Sequence, residues 1–240
     1  MRLRTITVIG IGLSAATTQC LMALDSGPIG LTATTRVANT GQLQLTLRNV
    51  STSMVTAYKL RWSKGSFTEQ ATDVISALLP SADPRRQLRA GSSLSLDDPF
   101  GPSTRPLDVA VVGVVYADNS WEGEPGFAQT IFTTRQQHAA AIDKMVLPIL
   151  RSGTAENVAR IAEQMRTAAL KAQQSRALDE LSGAQYLRAV ADRLDQIRSL
   201  APEASKAAFG AIVNDETMML QTLSAHMHPA KPIVGGTPGH

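Results

Sequence analysis

The sequence predicts an α+β fold, in which an N-terminal antiparallel β-sandwich of immunoglobulin-like type is followed by a C-terminal helical bundle. Three observations lead to it. Between about residues 28 and 123, short apolar or alternating runs are separated by loops rich in glycine, proline and serine. After residue 126 the apolar period becomes helical. Hydrophobic residues make up 43% of the chain but aromatic residues only 4%, so the predicted core is aliphatic.

The N-terminal segment predicts a secretory signal peptide. Arg2 and Arg4 precede the uncharged run 5–24, in which small residues follow a short apolar stretch. Cleavage is expected after Ala16 or after Ala23, which places the signal within residues 1–23. The mature protein is then periplasmic or secreted.

Two alternatives keep the N-terminus on a membrane. The uncharged run 5–24 reaches the spanning length of about 20 residues, as a retained anchor requires. Cys20 is the single cysteine, and in a lipoprotein it would carry the lipid. A single cysteine also forms no disulfide within the chain, which fits a sandwich held together by packing.

Residues 43–62 form the central pattern of the β region. The first run alternates apolar and polar residues, with Leu43, Leu45 and Leu47 on one face. In the second run one face holds Met54, Tyr58, Leu60 and Trp62, and it is interrupted by Thr56. Short polar residues fill all of positions 49–53 between the runs except Val50, so the pattern predicts a hairpin with a loop of four or five residues.

The rest of the β region supplies further short segments. Residues 107–116 are mostly apolar and rich in valine, which predicts a strand buried on both faces. Residues 64–72 are polar and predict a loop or an edge strand. Residues 74–79 form a short apolar run that ends at Pro80. Residues 90–93 predict a bend between or within strands.

Three segments carry a resemblance to a known class: LRNVSTSMVTAYKLRW, LRAGSSLSL and VVYADNSWEG. They resemble the β-sandwich domains of exported bacterial proteins of unknown function. Tyr58, Lys59 and Leu60 are similar to the aromatic-x-Leu part of the FxLYD-type domain, while Arg61 and Trp62 stand where that family has Tyr-Asp. The resemblance covers the β region only, and it implies an exported interaction or structural module.

About four amphipathic helices are predicted between residues 126 and 227, with short connections that favour an antiparallel bundle. The first is expected to kink or end at Pro148 and to stop at Gly153. The tail 228–240 holds three prolines and three glycines, which predicts disorder.

The later helices have recognisable start signals. They are Thr154 as an N-cap, a capping box of Ser182 and Gln185, and Pro202 in the first helical position. Each helix also has an apolar stripe. The stripes are Val158, Ile161, Met165 and Ala169; Tyr186, Leu187, Val190, Leu194 and Ile197; and Phe209, Ile212, Val213, Met219, Leu220 and Leu223.

Chemical motifs are weak throughout, so no catalytic, cofactor-binding or metal-binding residue is predicted. An oxygen-rich turn offers Ca²⁺ ligands but is interpreted as a plain turn, and the adjoining Trp121 as a core residue; the turn residues are Asp118, Asn119, Ser120 and Glu122. His226 and His228 are too few ligands for a closed metal site. Asp97 and Asp98 are interpreted as solvated turn residues, and the tripeptide 49–51 fits the N-glycosylation pattern.

Charge excludes one class of partner. The formal charge is +3, and Arg2 and Arg4 supply two of these charges, so the mature chain is nearly neutral and nucleic acid is not an expected partner.

The sequence predicts an exported, non-enzymatic protein that acts through contact with another envelope protein. One alternative is an envelope hydrolase whose site assembles from distant residues, with His138, Asp97 or Asp98 taking part. The other is a membrane-tethered spacer.

Overall fold

The computed structural model describes residues 29–37, 43–63, 67–97, 107–174 and 178–230. The predicted signal peptide and residues 231–240 of the predicted tail lie outside them. The chain forms two compact units, and each is considered by itself. The β unit comprises the described residues up to 77, then 82–131 and 229–230, and the helical unit comprises 78–81 and 132–228. The predicted α+β class is confirmed, with two antiparallel sheets in the N-terminal half and helices in the C-terminal half.

Seven strands form the two sheets of the β unit. The first sheet has the order β1–β2–β5, with β1 Leu31–Val37, β2 Leu43–Asn49 and β5 Ser93–Asp97. The second has the order β4–β3–β6–β7, with β3 Val55–Ser63, β4 Phe67–Asp73, β6 Val109–Tyr116 and β7 Trp121–Gly123. Both sheets contribute to one buried apolar cluster, whose members include Leu31, Leu45, Leu47, Val55, Tyr58, Leu60, Trp62, Val114 and Tyr116.

The predicted hairpin of residues 43–62 is wrong. β2 pairs with β1 and β5, whereas β3 pairs with β4 and β6, so the chain crosses from one sheet to the other after Asn49. The alternation of each run was interpreted correctly, since Leu45 and Leu47 are buried with Tyr58, Leu60 and Trp62. A hairpin would lay these apolar faces side by side and leave them in need of another layer, whereas separate sheets bury them in a common core.

Thr56, which interrupts the apolar face in the sequence, marks an irregularity in β3. The pairing of β3 with β6 shifts register between Val55 and Ala57. Thr56 is fully buried, and its hydroxyl donates to the carbonyl of Val115 at 3.2 Å. The shift places Val55 in the core, whereas Met54, which the alternation assigned to that face, precedes the strand.

β6 is buried on both faces only in its C-terminal half, from Gly113 to Tyr116. There the ring of Phe127 covers the outer face. A Cβ added to Gly113 would overlap that ring and lie 3.1 Å from its Cγ atom. Glycine is thus required at this position by a close side-chain approach.

We expect Gly113→Ala to destabilise the β unit by about 2 kcal/mol, because the added methyl must displace the Phe127 ring. The measurement is denaturant unfolding followed by tryptophan fluorescence, since both tryptophans, Trp62 and Trp121, lie in strands of this unit. Gly126→Ala is the matched control, because a Cβ there meets open space. Equal unfolding midpoints for the two variants would contradict the expectation.

Within the described part of the chain, five α-helices follow the sheets. They are α1 Pro125–Ala141, α2 Leu147–Arg151, α3 Val158–Gln174, α4 Leu178–Ile197 and α5 Pro202–His226. All the predicted stripe residues of α3 and α4 are buried, whereas on α5 Val213, Met219 and Leu220 are only half-buried. Among the described residues, no helix combines the length and apolar character that crossing a membrane requires.

A wide turn replaces the predicted kink at Pro148. Residues Ile142–Val146 form a π-helical turn in which the N–H of Leu147 donates to the carbonyl of Ile142, five residues earlier. In an α-helix, residue 148 would donate its N–H to the carbonyl of Lys144. Because Pro148 has no N–H, that carbonyl would lack a donor and would also clash with the proline ring. The π turn relieves that conflict, and α2 then continues to Arg151.

Two of the three predicted start signals are confirmed. Thr154 caps the short 3-10 turn that leads into α3, in a capping box with Asn157, and Pro202 opens α5. The capping box at Ser182 is wrong, because α4 already begins at Leu178. The residues before Ser182 are Leu-Asp-Glu-Leu, mostly good helix formers, so helix propagation prevails over the local cap.

Candidate functional site

An ion-pair cluster lies on the outer face of the second sheet. Lys59 and Arg61 are two residues apart on β3, so they share this face. The Lys59 Nζ atom is 2.6 Å from a Glu69 oxygen and 2.7 Å from a Glu124 oxygen. Arg61 donates from Nε to Glu69 at 2.6 Å and from a terminal nitrogen to Glu124 at 2.7 Å. Both carboxylates therefore bind both cations.

The cluster favours the ionised form of Glu69. Partial burial acts to raise the pKa of Glu69, but the hydrogen bonds and charges of Lys59 and Arg61 prevail and lower it. The four side chains are between 18% and 38% exposed, so solvent screens their attraction and their contribution to stability is small. Their effect is to neutralise the acidic group carried by β4.

The outer edge of β4 is the second feature of this sheet. β4 is the terminal strand of the sheet, and among the described residues its only strand partner is β3. The N–H of Val74 donates to the carbonyl of Thr56 at 2.8 Å. Since hydrogen-bonded residues alternate along an antiparallel strand, Thr68, Gln70 and Thr72 bond to β3. The residues between them, Glu69 and Ala71, direct their N–H and C=O groups outward.

The oxygen-rich segment that was interpreted as a plain turn joins β6 to β7, with Glu122 already in β7. The Asp118 carboxylate accepts from the N–H and the hydroxyl of Ser120, at 3.1 and 2.5 Å. Glu122 points elsewhere: one carboxylate oxygen accepts from the N–H of Gly30 at 2.6 Å and from the Tyr116 hydroxyl at 3.0 Å. Within the described part of the chain, no three metal-ligating side chains are grouped together.

Glu122 of β7 binds the residue that precedes β1 and the last residue of β6. Burial and the Glu122 charge raise the pKa of the Tyr116 phenol well above its ordinary value. The phenol therefore stays protonated and acts as a donor.

Trp121, interpreted as a core residue, is only half-buried in β7.

Asn49, the first residue of the predicted glycosylation tripeptide, is fully buried. Its amide nitrogen donates to the carbonyls of Ser53 and Leu88 at 2.8 and 2.9 Å. Its amide oxygen accepts from the N–H and the hydroxyl of Ser51 at 3.0 and 2.7 Å. The side chain thus organises the crossing between the sheets, and its nitrogen is not accessible for glycosylation in the folded protein.

A buried polar network joins α4 to α5 in the helical unit. The Tyr186 hydroxyl donates to one oxygen of Glu216 at 2.5 Å, and Arg193 donates to the other at 2.7 Å. Arg193 also donates to Asp215 at 2.9 Å. Glu216 is 2% exposed, and the Tyr186 ring contacts the His138 ring in a tilted arrangement, with the ring centroids 5.5 Å apart.

Burial governs the titration of this network. It raises the pKa of Glu216, against the opposing effects of the Tyr186 hydrogen bond and the Arg193 charge. Burial and the adjacent Glu216 raise the pKa of Tyr186 well above its ordinary value. Both oxygens of Glu216 accept a hydrogen bond from α4, so the arrangement serves to lock α4 against α5.

We expect Glu216→Gln to weaken the pH dependence of the helical unit's stability. Because the folded pKa of Glu216 is raised, the folded state holds a proton that the unfolded state releases above pH 4.5. Wild-type stability therefore falls as pH rises from 4.5 through the raised pKa, and the glutamine variant lacks this fall. The amide retains one donor and one acceptor for Tyr186 and Arg193, so any change at low pH should stay near 1 kcal/mol.

The check is denaturant unfolding at a series of pH values, followed by far-UV circular dichroism of the helices. Glu163→Gln, at an exposed position on α3, is the matched control and should keep the wild-type pH profile. Identical profiles for wild type and Glu216→Gln would contradict the expectation.

Of the other residues considered for a site, His138 contacts Tyr186 of this network. His226 ends α5, and burial followed by the Arg135 charge lowers its pKa. His228 is exposed. Asp97 ends β5, and Asp98 lies outside the described residues.

The sequence interpretation missed the buried network. The periodic pattern includes Tyr186 in an apolar stripe and does not single out Glu216. The spacing in the sequence indicates the buried carboxylate. Glu216 is four residues after Ile212 and three before Met219, which places it on the apolar face of the helix. Only a buried donor on another helix makes such a position tolerable.

Comparison of the chain with protein-family models, with curated proteins and with solved structures finds no significant match.

Proposed function

We propose that this chain is an exported, non-enzymatic protein that acts in the cell envelope by binding another protein through its β unit. The observation that carries the proposal is the outer edge of β4. Among the described residues the strand paired with β4 is β3, the alternation turns the backbone groups of Glu69 and Ala71 away from β3, and both side chains are exposed. The predicted signal peptide of residues 1–23 supports export.

We also propose that the β unit is an immunoglobulin-like sandwich. Its two sheets share one core, and their strand orders β1–β2–β5 and β4–β3–β6–β7 are compatible with a seven-strand sandwich in which β4 joins the second sheet. Sandwiches of this kind occur in many cell-surface proteins, where their edges and loops bind partners. In the ion-pair cluster and in the buried network the charged groups bind one another, which supports a non-enzymatic role.

The experiment expresses the full gene with its own N-terminus, fractionates the cells and measures the intact mass of the product. A soluble envelope species cut after Ala16 or Ala23 is expected. Chemical cross-linking in intact cells should then give a discrete adduct heavier than the chain. An uncut chain in the cytoplasm would overturn export, and an uncut or lipidated chain in the membrane fraction would favour the tethered spacer.

A further inference from the structure

We infer that the outer face of the first sheet binds an extended acidic glycan, a chain of sugars that carry carboxylate groups. The inference goes beyond the proposed function, because it concerns β1, β2 and β5 and not the edge of β4. The face is regular and rich in hydroxyl groups, and its two arginines form no ion pair with any described side chain.

The registers of the first sheet determine which side chains share this face. β1 pairs with β2 over seven residues and β2 with β5 over five, and neither register shifts. Leu31, Leu45 and Leu47 lie in the core, so the residues that alternate with them form the outer face. These residues make three cross-strand rows: Thr32–Arg48–Ser93, Thr34–Thr46–Ser95 and Arg36–Gln44–Asp97.

Hydroxyl groups occupy much of the face. Four of the residues that carry them are exposed and Thr46 is half-buried; the exposed ones are Thr32, Thr34, Ser93 and Ser95. Their contacts within the protein are long: the hydroxyls of Thr46 and Ser95 are 3.4 Å apart, and the Thr32 hydroxyl is 3.4 Å from the carbonyl of Arg48. A hydroxyl both donates and accepts hydrogen bonds, as the hydroxyls of a sugar do. The face can therefore exchange hydrogen bonds with a sugar in either direction.

Two arginines give the face its charge, and both are exposed. The Nε atom of Arg36 donates to the Gln44 side chain at 2.8 Å, and the Arg48 side chain has no hydrogen bond or ion pair within the described part of the chain. Asp97 belongs to the same row as Arg36, but β2 lies between their strands. In the second sheet, by contrast, carboxylates bind both cations of the ion-pair cluster. The first sheet therefore offers guanidinium groups to external carboxylates, which they bind well.

The spacing of the arginines favours an extended ligand. Arg36 and Arg48 lie on neighbouring strands two rows apart, which separates their Cα atoms by about 14 Å. The hydroxyls of Thr34 and Thr46 lie in the row between them. A ligand that contacts both guanidinium groups and these hydroxyls must cross all three rows, as a chain of several sugars can.

Other classes of partner use groups that this face lacks. Its three rows contain no aromatic residue, methionine or leucine. Protein interfaces concentrate their binding energy in such residues, and single-stranded nucleic acids stack on aromatic rings. A membrane surface is bound through inserted apolar side chains and clusters of several cations. An acidic glycan matches the groups that are present.

The test uses the purified full chain and oligogalacturonate, with calorimetry at low salt as the measurement. Binding is expected, and the same oligomer with its carboxylates methyl-esterified should bind about tenfold more weakly, because it keeps its other hydroxyls but lacks charge. Arg48→Gln should weaken binding about threefold, and the double variant Arg36→Gln/Arg48→Gln about tenfold. Arg85→Gln is the matched control, since Arg85 is exposed in the β unit outside the three rows, and it should bind as wild type does.

A further variant tests the hydroxyls. Thr34→Val keeps the β-branched shape that suits a strand and removes the hydroxyl, so it should bind about threefold more weakly. Tryptophan-monitored unfolding verifies that each variant is folded. Absent binding, equal binding of the esterified oligomer, wild-type affinity in the double variant or in Thr34→Val, or an equal loss in Arg85→Gln would each overturn the inference. All of these outcomes leave the proposed function standing, because β4 belongs to the other sheet.

Discussion

Replacing Asn49 with aspartate is expected to destabilise the β unit by about 4 kcal/mol at neutral pH. The amide nitrogen of Asn49 donates to the carbonyls of Ser53 and Leu88 in a fully buried site. A carboxylate would place a charged oxygen against these two carbonyl oxygens, with no donor to satisfy it. Tryptophan fluorescence during denaturant unfolding measures the loss.

The pH dependence of Asn49→Asp distinguishes charge from lost packing. Burial and the carbonyls raise the pKa of the introduced carboxyl in the folded state. The folded variant therefore holds a proton that the unfolded variant has released, so its stability increases as pH falls through the raised pKa towards about 4. Asn49→Ala, the uncharged control, should lose about 2 kcal/mol and lack this recovery. A smaller loss for aspartate than for alanine at neutral pH would show that the site is hydrated.

Replacing Arg135 with methionine is expected to destabilise the helical unit by about 3 kcal/mol. Arg135 is fully buried, donates to the carbonyl of His226 at 3.2 Å, and has its guanidinium 5.8 Å from the centroid of the Phe132 ring. It thus places a positive charge at the C-terminal end of α5, where the helix dipole favours a cation. Methionine retains much of the apolar volume and removes the charge and the donors.

The measurement is denaturant unfolding followed by far-UV circular dichroism, with Arg135→Lys and Gln136→Ala as comparisons. Lysine keeps the charge but has fewer donors, so its loss should be intermediate. Gln136 is exposed and donates to the carbonyl of Met227 at 3.0 Å, so its replacement should cost about 1 kcal/mol. Arg135→Met should also raise the pKa of His226 in NMR titration. A wild-type midpoint for Arg135→Met would show that the buried guanidinium contributes nothing net.

Local periodicity predicted the elements of this protein better than their pairing. The alternation around Leu45 and Leu60 identifies two strands with apolar faces, yet it does not determine whether the strands lie side by side or face one another across a core. That choice depends on the crossing after Asn49, where a buried amide replaces a tight turn. Local pattern also predicted helix starts only in part. Thr154 and Pro202 mark starts through local contacts, whereas Ser182 lies within a helix that begins earlier.

The candidate sites depended on contacts that the sequence does not encode locally. Glu69 looks like an exposed polar residue of a loop or edge, and only its pairing with Arg61 places it on the outer face of the sheet. Glu216 is acceptable in the interior because Tyr186 and Arg193, at least 23 residues away, supply its donors. Distant partners of this kind are fixed by the packing of whole elements.

The π turn at Ile142–Val146 also determines how the segment from Pro125 to Arg151 tolerates changes in chain length. A π turn contains one residue more than an α-helical turn. The residues after it point in the same directions as they would in an α-helix that lacks the extra residue. Deleting one residue within it would restore α-helical spacing and leave Leu147 and Leu150 buried, provided that Pro148 is replaced as well. A deletion elsewhere in α1 would rotate those leucines by about 100° away from the core. The turn is thus the position at which a one-residue insertion or deletion can be absorbed.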